Sequence, residues 1–117
     1  MSTLTISNLS DGTETVATTY ITNGSGKAWG YNILNSTDSS TSTFNISSFT
    51  DVATGRTDCT LTNAMSAQQS PTVSGGTSAY PYQVYMQSAS VFRVNHVNSS
   101  GNYSDGGSNA VQFGDLA

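Results

Sequence analysis

The sequence predicts an all-β protein, an antiparallel β-sandwich, and three observations support this class. Ser and Thr together supply 37 of the 117 residues and Asn supplies 10 more, and these residues suit strands and turns better than helix interiors. The chain has one Glu, one Lys and two Arg, too few for the charged face of a surface helix. Short segments of alternating apolar and polar residues recur between clusters of Gly, Asn, Asp and Ser, which is typical of antiparallel sheets.

The alternation predicts eight strands: Thr3–Leu9, Thr15–Ile21, Ala28–Leu34, Ser42–Ser47, Arg56–Thr62, Tyr82–Gln87, Val91–Val97 and Ala110–Phe113. The turns between them use residues that tolerate positive φ, such as Asp11-Gly12 and Gly101-Asn102. The segment Ser66–Ala79 contains Pro71 and Gly75-Gly76 and has no clear periodicity. We expect a long loop there, and loops of that length are often functional.

Alternation also assigns apolar side chains to the core. The predicted inward sets are Leu4 and Ile6; Trp29, Tyr31 and Ile33; Phe44 and Ile46; Cys59 and Leu61; Tyr82, Val84 and Met86; Val111 and Phe113. The strand at 91–97 is left open, because Val91, Arg93, Asn95 and Val97 face one way and Phe92, Val94 and His96 the other. Such a two-sided strand suits a sheet between a core and a subunit interface.

The chain is long enough for one domain but supplies little apolar material. Leu, Ile, Val and Phe together number 21 of 117 residues. A small domain that cannot bury enough apolar surface commonly oligomerises, so we expect partner subunits.

Charge and cysteine content exclude several classes of function. Lys27, Arg56 and Arg93 are the only basic residues and the net charge is −4, so we expect no nucleic-acid binding and no attraction to anionic membranes. Cys59 is alone and alternates with Leu61, which predicts a buried structural thiol. No continuous apolar run follows Met1, so we expect neither a signal peptide nor membrane insertion.

No motif predicts catalysis, a cofactor or a metal site. The seven acidic residues are scattered through turns, and the single histidine, His96, has no Gly-x-Ser-x-Gly segment to accompany it. Gly24-Ser25-Gly26-Lys27 is not a phosphate-binding loop, because Ala28 stands where Ser or Thr must contact magnesium. The sequence therefore predicts a protein that is not an enzyme.

The remaining chemistry suits a surface that binds. Trp29 and six tyrosines supply flat amphipathic side chains, and the surrounding Asn, Gln and Ser supply adaptable hydrogen bonding. This combination suits polar ligands such as glycans, or protein surfaces. The alternative is that most of these rings belong to the core or to a subunit interface.

Four segments carry a resemblance to a known group of proteins. They are MSTLTISNL at the start, GKAWGYN, STFNISSFTDVATGRTDCTLTNAM, and FRVNHVNSSGNYSDGGSNAVQFGD. Together they resemble short tail-fibre-like virion proteins of bacteriophages, in a module that opens on Lys-Ala-Trp and continues with a Phe-Asn-Ile-Ser-Ser segment. The resemblance covers residues 27–115.

The resemblance implies a homotrimeric, β-rich virion component that is assembled in the host cytoplasm. Residues 1–26 would form an N-terminal β-arm and linker for virion attachment or trimerisation, and residues 27–117 the β-sandwich module, with Trp29 as a packing anchor. The implied function is host-surface recognition, and the alternative is a capsid decoration protein that stabilises the phage head. The candidate receptor contacts are Gln68, Gln69, Tyr80, Asn98, Asn102 and Tyr103. The expected partners are further copies of the chain, other virion proteins, and a glycan or protein of the host surface.

Overall fold

A computed structural model describes residues 2–18, 21, 24–68, 72–76 and 82–117. Ten strands lie in these ranges: β1 (Asn8–Ser10), β2 (Thr15–Ala17), β3 (Ala28–Leu34), β4 (Ser42–Phe44), β5 (Ile46–Ala53), β6 (Arg56–Leu61), β7 (Thr72–Gly76), β8 (Tyr82–Ser88), β9 (Val91–His96) and β10 (Gly107–Gln112).

The strands form three sheets, and every pairing between them is antiparallel. The first four-stranded sheet has the order β4, β3, β10, β7, and the second has the order β5, β6, β9, β8. Strands β1 and β2 form a separate hairpin. The predicted all-β class with antiparallel sheets is confirmed, and the two larger sheets are consistent with a β-sandwich.

The core lies between the two four-stranded sheets. The first sheet contributes Ala28, Ile33 and Ala110, and the second contributes Cys59, Leu61, Met86, Phe92 and Val94. The predicted inward pair Cys59 and Leu61 is confirmed, and Val84 packs against the same cluster. The side chain of Tyr82 lies outside the described part of the chain.

The inward set predicted for β3 is wrong at two of its three positions. Ile33 is fully buried, but Trp29 is 36% and Tyr31 is 56% exposed. The cause is a bulge: Asn32 has a φ of 54°, and the pairing with β10 shifts between Ser108 and Ala110. One extra residue reverses which positions face the core, so Trp29 lies on the outer face rather than acting as a core anchor.

The predicted strand Ser42–Ser47 is two strands that belong to different sheets. Asn45 separates them with a φ of 57°, a backbone conformation that Asn tolerates better than most residues. Its side-chain amide donates hydrogen bonds to the carbonyl oxygens of Lys27 and Asn63, both 3.0 Å. The chain therefore crosses between the sheets here, which leaves Phe44 52% exposed while Ile46 packs against the core.

The inward set predicted for the last strand is also wrong. Val111 and Phe113 are only half-buried, whereas Ala110 and Gln112 face the core. Gln112 is fully buried; its Oε1 atom accepts a 2.6 Å hydrogen bond from the Thr72 hydroxyl of the neighbouring strand, while its Nε2 atom has no partner among the described residues. A buried polar residue stays in a core when it has such a partner.

One strand lies where none was predicted, and another continues beyond its predicted end at Ser47. Strand β7 lies inside the expected loop Ser66–Ala79, and β5 extends to Ala53. Both escaped detection because they lack apolar alternation: β5 is an edge strand with mostly exposed residues, and β7 contains two glycines.

The chain before Asn8 differs from the prediction as well. The first strand begins at Asn8 rather than Thr3, and β2 ends at Ala17. Leu4 is 82% exposed and Ile6 is 39% exposed, so their predicted burial is wrong. In the part of the chain that the structure describes, no second layer covers this segment, so its alternation has no core to face.

Candidate binding face

The outer surface of the second four-stranded sheet brings charged, amide and aromatic side chains together. Thr57, Cys59 and Leu61 of β6 face the core, so the residues between them face outward. The same holds for β9, where Phe92 and Val94 are buried. We call this surface the binding face; it comprises Arg56, Asp58, Gln83, Tyr85, Arg93, Asn95 and Tyr103.

An ion pair forms the centre of the binding face. Arg93 and Asp58 are cross-strand partners, and Nε and Nη2 of Arg93 donate to the two carboxylate oxygens at 2.7 and 2.9 Å. The hydrogen-bonded Asp58 carboxylate raises the pKa of the Arg93 guanidinium. Tyr85 is the partner of Arg93 on the other side and is 38% exposed. This two-bond geometry holds Arg93 in one orientation.

Next to this ion pair, a second row of residues across the sheet combines a cation, an amide pair and an aromatic ring; we call it the second row of the binding face. The Arg56 guanidinium lies 3.7 Å from the ring centroid of Tyr103, within the range of a cation–π interaction. Asn95 lies between Arg56 and Gln83 in the sheet register and donates a 3.1 Å hydrogen bond to Oε1 of Gln83. Its Oδ1 atom is buried and has no hydrogen-bond partner among the described residues.

Tyr103 reaches Arg56 because the segment after β9 is a tight turn. Oδ1 of Asn98 accepts hydrogen bonds from the backbone N–H groups of Ser100 and Asn102, at 3.0 and 3.1 Å. The Asn98 N–H donates to the Asn102 carbonyl oxygen at 2.8 Å, and Tyr103 pairs with Val97. Asn98 is therefore part of the turn that presents Tyr103, which is 43% exposed.

Hydrogen bonds connect this part of the chain to the β5–β6 hairpin at Gly55. The Gly55 N–H donates to Oδ1 of Asp105 at 2.8 Å, and its carbonyl oxygen accepts from the His96 N–H at 2.8 Å. Gly55 has a φ of 69°, and an added Cβ would lie within 2.7 Å of backbone atoms of His96 and Ser104. Only glycine fits such a position, so this contact sets the distance between Arg56 and the Tyr103 turn.

The structure places the predicted contact residues in different surroundings. Tyr103 belongs to the binding face and Asn98 and Asn102 lie in the turn that carries it, whereas Gln69 and Tyr80 lie outside the described residues. Gln68 donates a 3.3 Å hydrogen bond to the Met86 carbonyl oxygen, and Met86 pairs with Phe92 at the far end of β9. At about 3.3 Å of rise per residue, Gln68 is separated from the turn by most of the strand length.

Sequence reasoning missed the strand residues of the binding face. Arg56, Asp58 and Gln83 alternate with predicted core residues, and Arg93 lies on a strand whose inward face the sequence left open. This alternation places them on one face, but the strand order β6, β9, β8 is needed to make them neighbours.

The opposite outer surface has a different character. On the first sheet, Phe44 pairs with Trp29, Trp29 with Val111, and Val111 with Val73. We call these four residues the apolar row. Phe44 and Val73 are more than half exposed, and the rings of Trp29 and Phe44 stack with centroids 6.4 Å apart.

In the part of the chain that the structure describes, no group of three or more His, Cys, Asp or Glu side chains is placed to hold a metal ion. No helix in that part has the length and apolar character needed to cross a membrane.

Comparison with known proteins gives no relative: no protein-family model matches the chain, and no curated protein or solved structure shows significant similarity to it.

Proposed function

We propose that the chain is a non-enzymatic structural protein of a bacteriophage virion, tail-fibre-like, that contributes to recognition of the host surface. The sequence resemblance over residues 27–115 and the all-β fold support this proposal. The observation that carries it is the second row of the binding face. There a half-exposed Tyr103 stacks on Arg56, and the exposed amide of Gln83 lies in the same row.

This chemistry suits a glycan or a polar protein surface. The exposed ring faces of Tyr103 and Tyr85 offer apolar area against which a sugar ring packs, while guanidinium and amide groups hydrogen-bond its hydroxyl groups. The groups are held in place before binding by the Arg93–Asp58 pair and the Gly55 contact. Such preorganisation lowers the entropic cost of binding.

The proposed organisation is a homotrimer in which residues 1–26 attach to the virion or to each other and residues 27–117 face outward. The separate β1–β2 hairpin supports a distinct role for the N-terminal part. No cofactor is needed for this function.

The first test replaces Tyr103 on the phage. We expect Tyr103→Ala to reduce adsorption about tenfold or more, because the stacked ring and its contact area are lost. Tyr103→Phe keeps the ring and serves as the matched control, with adsorption near wild type. Purified variants are compared by light scattering and circular dichroism to show that assembly and fold are unchanged. Unaltered adsorption by the Ala variant would contradict the proposal.

A capsid decoration protein is the second candidate, and the apolar row favours it. An exposed apolar stripe across four strands is suited to contact with a protein lattice. Immunogold labelling of intact virions separates the candidates: gold at tail or fibre tips supports adsorption, whereas gold spread over the head, with rebinding of purified protein to stripped heads, supports decoration.

A further inference from the structure

The β1–β2 hairpin has an unpartnered concave surface. It is lined by Leu9, Ser10, Asp11, Glu14, Val16 and Ile21, and has a volume of about 450 Å³. Its three apolar side chains are each more than 40% exposed. A two-stranded hairpin alone is marginally stable in water, so burial of this groove would supply the stabilisation that the hairpin lacks.

A second unpartnered apolar surface lies on the same chain. The apolar row crosses all four strands of the first sheet, and Tyr31, 56% exposed, lies two residues beyond Trp29. The backbone at Gly26 passes over the row, since a Cβ added there would lie 3.0 Å from Cγ1 of Val111. Lys27 therefore stands at the border of the row.

The charges at the two surfaces are complementary. Asp11 and Glu14 lie at the groove of the hairpin, and Lys27 lies beside the apolar row. Among the described residues, the Lys27 ammonium bonds only to the Ser25 hydroxyl, at 2.7 Å, and the one ion pair there is Arg93–Asp58. Within the described ranges, Lys27 and Glu14 thus each lack an oppositely charged partner.

We propose that the hairpin groove of one copy receives the Trp29–Phe44 ring pair of a second copy, with Lys27 of that copy beside Glu14. The stacked rings supply a flat apolar surface of the kind that dominates protein interfaces. The opposite charges fix the register of the contact.

The contact is heterologous, because each copy offers its hairpin to one neighbour and its apolar row to another. Such contacts close into a ring when the rotation between copies allows it. The number of copies, three, rests on the proposed function. The contact itself does not rest on it.

The test is a charge exchange measured by light scattering across a dilution series. The wild type is expected to have a mass near three times 12.2 kDa. Lys27→Glu and Glu14→Lys should each weaken association about tenfold or more, because each places like charges together, and the double variant should restore it. Asp11 is left unchanged because its carboxylate holds the hairpin turn.

A second pair of variants tests the apolar part. Trp29→Ser should abolish association at micromolar concentration, whereas Val52→Ser should not; Val52 is 40% exposed on a strand of the other sheet. Circular dichroism checks that each variant is folded.

The outcomes distinguish a failure of the proposed contact from a failure of the proposed function. A monomeric wild type, or an oligomer that no variant weakens, overturns the proposed contact and leaves adsorption by the binding face to its own test. The proposed contact is also overturned if both single charge variants weaken association and the double variant does not restore it. Restoration supports the contact even if immunogold labelling finds no protein on the tail or head.

Discussion

At the scale of single residues, His96 shows how closely the chain that follows the Tyr103 turn packs against β9. The ring is almost fully buried, and its Nδ1 atom lies 2.7 Å from the Ser104 carbonyl oxygen. Gly106 passes directly over the ring: a Cβ added there would lie within 2.6 Å of ring atoms. The chain after the Tyr103 turn therefore packs against His96 only because position 106 has no side chain.

Replacing Gly106 by Ala tests this close approach. We expect a loss of about 1–3 kcal/mol in the free energy of unfolding, because the methyl group must displace the ring or the backbone. Urea denaturation followed by fluorescence measures the change. Gly75→Ala is the matched control, since nothing lies within 4 Å of its added Cβ. Equal stability of the two variants would show that the ring moves aside freely.

At the scale of elements, the turn of the β1–β2 hairpin depends on one carboxylate. Oδ1 of Asp11 accepts hydrogen bonds from the N–H groups of Thr13 and Glu14, both 2.9 Å. These bonds hold the pKa of Asp11 below its ordinary value of 3.8. A lowered pKa means that the carboxylate stabilises the turn above pH 3.8 and that this stabilisation is lost as the pH falls through the folded-state pKa.

The pH dependence of the hairpin follows from this. We expect the amide NMR signals of Thr13 and Glu14 to titrate together with a midpoint below pH 3.8, as the bonds to Asp11 are lost. Asp11→Asn retains an acceptor oxygen and should remove the titration while keeping the turn at neutral pH. A midpoint at or above 3.8 in the wild type would contradict the role given to Asp11.

At the scale of the whole molecule, the two sheets share a small core that also holds polar groups. Gln112 and Ser108 are fully buried, as are Ile33, Phe92 and Met65. The radius of gyration is 16.4 Å, against about 13 Å for a compact domain of this length. The surface exposed by such an extended chain is consistent with the proposed assembly of several copies.

The reactivity of Cys59 reports on the stability of the whole core. Burial, with nearby Asp58, raises the pKa of the thiol, so a disulfide reagent such as DTNB should label it only after unfolding. Phe92 is the cross-strand partner of Cys59. Phe92→Ala should cost about 3–5 kcal/mol and accelerate labelling by at least about two orders of magnitude. Labelling of native wild type at the rate of a free thiol would contradict this prediction.

Several features of the fold were predictable because they depend on local composition. The all-β class follows from the scarcity of helix-forming residues, and the range Ala28–Leu34 of β3 follows from its alternating apolar residues and the preceding Gly24-Ser25-Gly26. In the site, Tyr103 and its turn were predictable from Gly101-Asn102. Arg56 and Asn95 were not, because their proximity depends on strand order.

The sequence by itself determined the β class, the positions of most strands and the burial of Cys59 and Leu61. Tertiary structure alone decided which faces of β3 and β10 point inward and which residues form the binding face. The physical reason lies in Asn32 and Asn45, whose positive φ values shift the alternation and send the chain to another sheet. The two-residue alternation of a strand shows which residues share a face. The second sheet and the bulges decide which face is buried.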